Sequence, residues 1–157
     1  MKMLWKLRGS GVLVLRDWRS CYAFVHYDDS PVGSYDEWAI IELTLRGPSV
    51  TQMSVNNLAS REAGRALWGF PKVLERLRFA RIGKLVSFEK SERTVRFRVG
   101  RFSVPIALRA WTIQILNGAP VRVPVEVSGR AGFGWRGRQL IVFVENFSLG
   151  VFEPQSI

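Results

Sequence analysis

The chain is poor in the side chains that most often carry chemistry by themselves. Among 157 residues there is one cysteine, Cys21, and one histidine, His26. A single cysteine makes no internal disulfide, and no second Cys or group of His offers metal-ligand spacing. The expectation is a reducing, cytoplasmic setting with no metal. Cys21 lies between Ser20 and Tyr22 in a strand-like stretch and reads as a small buried hydrophobe rather than a nucleophile. His26 has no Ser, Asp or Cys set at a recognisable spacing and reads as a structural or pocket-lining residue. Runs of 18 or more uncharged apolar residues are also missing, so no membrane-spanning helix is expected. The opening "MKMLWKLRGSGVLVLRDWRS" carries a basic flank, but its apolar run Val12 to Leu15 is short and followed at once by charge. It reads as a first strand rather than a leader.

What is present suits a packed core. With 47% apolar residues and this length, a single domain spanning 1–157 is expected. The formal charge of +10 invites a nucleic-acid reading, because 18 Arg and 5 Lys outnumber 13 acidic residues. The basic residues are nevertheless spread along the chain. In "RTVRFRVGRF" the alternation sets Arg96 and Arg98 on one face and Val95, Phe97 and Val99 on the other. A solvated outer face of a sheet accounts for that pattern, so neither nucleic acid nor membrane is expected as a partner.

Most of the chain reads as strand. Runs such as "GVLVLRDW", "SCYAFVHYD", "EWAIIELTLRG", "RTVRFRVG" and "QLIVFVENFSLGVFE" are short, evenly spaced and rich in Val, Ile, Phe and Trp. Gly, Pro, Asp or Ser separates most of them. The spacing predicts a mainly β (α+β) fold, an antiparallel sandwich or barrel rather than a parallel sheet with crossover helices. "WGFPKVLERLRF" and "GRAGFGWRGRQ" read as its main irregular connections. One helix is predicted over "NLASREAGRALWG", capped by Asn57 and ended by Gly69 and Pro71. Its apolar side would come from Leu58, Ala59, Ala63, Ala66 and Leu67.

Just past that helix stands Lys72, in "RALWGFPK", preceded by six residues that are apolar or glycine. A charged amine is poorly served there, and a loop leaving the one helix of a β-rich domain is where a functional side chain is expected. Taken alone, such a lysine could also snorkel out of a turn.

"AGRALWGFPKVL" resembles the acetoacetate decarboxylase superfamily, in which a helix end leads through an aromatic and a proline to a Schiff-base lysine. "HYDDSPVGSYDEWAIIEL" is similar to the family's loop ending in Tyr-x-Glu before a strand. The resemblance implies an antiparallel β-cone or barrel, homo-oligomeric assembly and no organic cofactor. It implies that Lys72 forms the Schiff base, that Glu37 orients groups and moves protons, and that Arg8 faces the substrate carboxylate. Tyr35, Met53, Trp68 and Phe70 would line the pocket, and Arg65 would be structural. The chain departs from the family at Val73, where a second lysine is expected, at Ala66 and at Tyr22. The resemblance implies decarboxylation of a small keto acid, acetoacetate or a related β-keto acid, through an iminium. Aldolase or dehydratase chemistry on an α-keto acid is the alternative, as is a non-catalytic module binding a small ligand or an anionic partner. Acetoacetate decarboxylase is the standing example of a lysine activated by desolvation or a neighbouring cation. With Val73 adjacent, burial alone must lower this amine from its reference pKa of about 10.4.

Overall fold

Alternation along the chain builds two layers. A computed structural model describes residues 1–157. Four antiparallel strands open it: β1 (Met3–Leu15), β2 (Ser20–Asp29), β3 (Tyr35–Thr44) and β4 (Gly47–Val55). The helix α1 (Leu58–Trp68) follows, then the short β5 (Lys72–Leu74), which pairs parallel with β4. The next three strands, β6 (Leu77–Ile82), β7 (Leu85–Lys90) and β8 (Arg93–Arg98), form a separate antiparallel sheet. Long strands β9 (Val104–Leu116), β10 (Ala119–Arg136) and β11 (Gln139–Phe152) and the short β12 (Gln155–Ser156) complete the chain. The large sheet runs β12-β10-β11-β1-β2-β3-β4-β5, with β9 on the free side of β10. It curls until Gly47 of β4 lies against Trp111 and Ile113 of β9, yet no ladder joins those strands. The result is an open roll, mainly β and antiparallel, with one helix.

The central strands are buried on both faces, which explains their unbroken apolar runs. Odd-numbered residues of β1, β2 and β3, among them Trp5, Leu7, Ala23, Tyr27, Tyr35 and Ala39, face the inside of the roll and form one core with Met53, Trp68, Phe70 and Phe147. Even-numbered Val12, Val14 and Phe24 face outward. There the small sheet covers them with Val86, Phe88 and Phe97. Arg96 and Arg98 alternate with Phe97 and are exposed, as the solvated-face reading requires.

Two expectations need correction. "GRAGFGWRGRQ" is not an irregular connection: β10 runs through it to Arg136, and only the turn after Arg136 interrupts the sheet. Its glycines reflect close approach, since a Cβ on Gly132 would lie 3.0 Å from the Phe102 carbonyl oxygen. Nor does the helix bury the side built from Leu58, Ala59, Ala66 and Leu67, all of which are exposed. The buried stripe is Ser60, Gly64 and Trp68, at i, i+4 and i+8.

One polar group fastens the layers together. Asp36, buried on the outer face of β3, takes His26 Nδ1 at 2.6 Å, the Phe79 backbone N–H at 3.1 Å and Asn56 Nδ2 at 3.3 Å. His26 therefore has a structural partner on the outer face, not a place in the inner cavity. Asp36→Ala strands the Phe79 N–H and costs about 2–3 kcal/mol of stability by urea unfolding. A loss below about 0.5 kcal/mol would show that the contact does not hold the layers.

Candidate active site

Lys72 enters the roll because the chain reverses sharply at the end of α1. Asn57 caps the helix start, its side chain accepting from the Ser60 N–H. Gly69 ends it in the left-handed region at φ 73°, its N–H donated to the Arg65 carbonyl. A Cβ there would collide with the Ile115 carbonyl of β9, so the turn is both strained for other residues and tightly packed. The Trp68 indole N–H donates to the Phe152 carbonyl at 2.8 Å, tying the helix end to β11. Arg65 Nε donates to the Lys72 carbonyl at 2.6 Å and holds the reversed segment. β5 then begins at Lys72, paired with Met53, so the side chain points inward while exposed Val73 points out.

The amine lands in a nearly waterless spot. Lys72 is 4% exposed and Glu37, opposite it, is 6% exposed. Lys72 Nζ donates to Ser60 Oγ at 2.9 Å and lies 3.5 Å from Glu37 Oε2. The Tyr27 hydroxyl donates to Glu37 Oε1 at 2.9 Å, which orients the carboxylate. The rings of Tyr35, Trp5 and Phe70 surround the amine with centroids 5.6, 5.8 and 6.0 Å away. Helix α1 leaves room for the lysine only because position 64 is glycine: a Cβ there would meet Lys72 Cδ and Cε at 2.6 Å.

Burial depresses the Lys72 amine below its ordinary value, and the nearby Glu37 charge opposes part of that effect. The desolvation cost prevails because aromatic and aliphatic side chains fill most of the surroundings. Burial, and then the Glu37 charge, push Tyr27 and Tyr35 well above the ordinary tyrosine range, so both stay protonated. Burial also raises the Cys21 thiol, which makes it a poor nucleophile.

These groups open onto a cavity of about 260 Å³, lined by 23 residues of which 19 are hydrophobic. Lys72, Glu37, Tyr35, Met53, Trp68 and Phe70 all belong to it, so six of the seven site residues expected from the sequence converge. Arg8 does not. It is an even-numbered residue of β1, exposed on the outer face beside Asp28 and Asp29, while Leu7 takes the inward position. No arginine lines the cavity. The sequence reading missed Ser60, Gly64, Tyr27 and Trp5. Ser60 and Gly64 carried a signal, two small residues four apart on a helix that precedes the lysine. A larger groove of about 760 Å³ on the other face, around Tyr22 and Trp38, holds the Lys90–Glu75 ion pair. Its lysine lies against the Trp38 ring and is only partly buried.

No known protein family and no curated protein sequence matches the chain. Its architecture does match solved structures. An acetoacetate decarboxylase from Legionella pneumophila superposes over 98% of this chain and 86% of its own length, with a TM-score of 0.67 at 12% identity. A second acetoacetate decarboxylase structure covers 96% of this chain and 87% of its own, with a TM-score of 0.58 at 11% identity. The chain has an acetoacetate decarboxylase-like fold. Within that fold the lysine after "WGFP" and the glutamate of "YDE" occupy one cavity of this chain.

The close fit at Gly64 gives a test that separates site from fold. Alanine is favoured over glycine in a helix by about 1 kcal/mol, so Gly64→Ala retains the wild-type circular dichroism and cooperative melt. It displaces the Lys72 amine and lowers its reductive labelling by carbonyl probes about a hundredfold. Unchanged labelling would mean that the helix does not position the lysine.

Proposed function

We propose that the protein is a Schiff-base-forming lyase that decarboxylates a small β-keto acid on Lys72. The observation that carries this reading is one amine, 4% exposed and shifted toward its neutral form, set 3.5 Å from a buried carboxylate in an apolar cavity. A neutral Lys72 Nζ attacks the substrate's ketone carbon to give a carbinolamine, which loses water to become an iminium. Glu37, oriented by Tyr27, moves the amine's proton to the carbinolamine oxygen, and a second proton, drawn from solvent, lets that oxygen depart as water. The iminium nitrogen accepts the electron pair of the breaking carbon–carbon bond as CO2 leaves, producing a neutral enamine. A proton taken up from solvent by Glu37 is delivered to the enamine carbon. Hydrolysis of the resulting iminium by water restores the neutral lysine, frees the ketone and releases a proton, so that one proton is consumed per CO2 formed.

The apolar walls favour this sequence. A carboxylate and an iminium become CO2 and a neutral enamine, so charge disappears in a place where charge is poorly solvated. With no arginine in the cavity, nothing else offsets the substrate's carboxylate. Val73 lies on the opposite face of β5, so the amine's activation in this chain comes from burial.

Borohydride added with acetoacetate tests the reading. The expected outcome is a stable adduct on Lys72, located by peptide mass spectrometry and absent in Lys72→Ala, together with CO2 release in the absence of borohydride. Folded protein that gives neither adduct nor CO2 with acetoacetate or a longer β-keto acid, while binding such a ligand, would favour a non-catalytic module.

A further inference from the structure

The cavity is roomier and more apolar than acetoacetate requires, with 19 hydrophobic residues among its 23 lining residues. At about 30 Å³ for each methylene-sized group, 260 Å³ holds about nine non-hydrogen groups, roughly two more than acetoacetate contains. Acetoacetate offers only a methyl group beyond its reacting carbonyl. The polar atoms are not scattered over the wall. Lys72, Glu37 and Tyr27 come from neighbouring positions of β5, β3 and β2, and the Ser60 hydroxyl joins them.

The strand register shows where the remaining space lies. Lys72 is paired with Met53, and Met53 with Ala39. Two residues further along β3 comes Ile41, paired with Val50, a step of about 6.6 Å along the strand. Leu13 and Ala23 are cross-strand partners, and both line the same cavity as Ile41 and Val50. Ala23 and Ala39, cross-strand partners that both line the cavity, place only small side chains between the amine and this end. Apart from the buried, unpartnered hydroxyl of Thr112, the side chains at that end are aliphatic.

We infer that the physiological substrate is a β-keto acid carrying an apolar acyl chain, which runs from the Lys72 carbonyl site over Ala23 and Ala39 to Leu13, Ile41 and Val50. This rests on the Schiff-base reading of Lys72 and adds the class of substrate. The chain supplies the binding energy that the missing arginine does not, by removing its own surface and that of the wall from water.

The test compares acetoacetate, 3-oxohexanoate and 3-oxooctanoate on the full-length wild-type protein, reading CO2 release and borohydride adduct in parallel. Burial of each methylene is worth about fourfold in kcat/KM until the cavity is filled, so 3-oxohexanoate exceeds acetoacetate by roughly fifteenfold. Ile41→Phe narrows the far end, so the ratio of kcat/KM for 3-oxohexanoate over acetoacetate falls to about one. An adduct on Lys72 with all three acids but kcat/KM flat or falling with chain length would overturn the inference and leave the Schiff-base reading standing. No adduct with any of them would overturn both. Because the substrate series uses unaltered protein, it decides the matter even where Ile41→Phe fails to fold.

Discussion

The arrangement depends on an amine held away from water next to a carboxylate. In bulk solvent, Lys72 would be an ordinary ammonium ion and Glu37 an ordinary carboxylate. Inside the roll the cost of desolvating the charged amine outweighs the attraction of Glu37, and the lysine's pKa falls. That imbalance requires both a dry wall and a carboxylate kept at 3.5 Å and shared with Tyr27, rather than locked into a tight bidentate pair. It also stores instability, since a buried amine without full compensation is a burden on the fold. The two cores on either side of β1, β2 and β3 offset it.

The fold supplies this site by joining local features. A helix with a small-residue stripe, a glycine cap and a parallel three-residue strand turn the chain inward at Lys72. Antiparallel pairing of β2 with β3 sets Val25 opposite Glu37 and Tyr27 opposite Tyr35, which brings the carboxylate and its orienting hydroxyl to adjacent positions of the inner face. On the other side of the same strands, Asp36 and His26 fasten the small sheet in place. Successive residues, Asp36 and Glu37, thus serve the layer junction and the cavity respectively.

Much of the architecture was legible in the sequence because alternation is a local signal. The strands from "GVLVLRDW" to "RTVRFRVG" and the helix after Asn57 follow from pattern and capping residues. The extent of β10 was not legible, since Gly129 and Gly132 look like a loop unless the backbone crossing them is known. For the site, the motif around "WGFPK" and the "YDE" tripeptide pointed to Lys72 and Glu37, and aromatic neighbours completed the wall. Arg8 lies outside the cavity because the resemblance placed it on the first strand without fixing its face, whereas facing is decided by parity and Leu7 holds the inward position. Ser60 and Gly64 were overlooked because a helix face is usually sought by its apolar residues. Here the buried face had to be small to admit a lysine from elsewhere in the chain.

Titration of the Lys72 amine tests the central claim most directly. The protein carries 5 lysines, so Cε-labelled lysine observed by NMR, with Lys72→Ala for assignment, resolves its midpoint. The account predicts a midpoint below the ordinary lysine value of 10.5. Because Glu37 acts against burial, Glu37→Gln moves the midpoint lower still. A Lys72 midpoint at or above 10.5 in the folded wild-type protein would contradict the account, for the amine would then remain protonated at neutral pH as a structural ion pair.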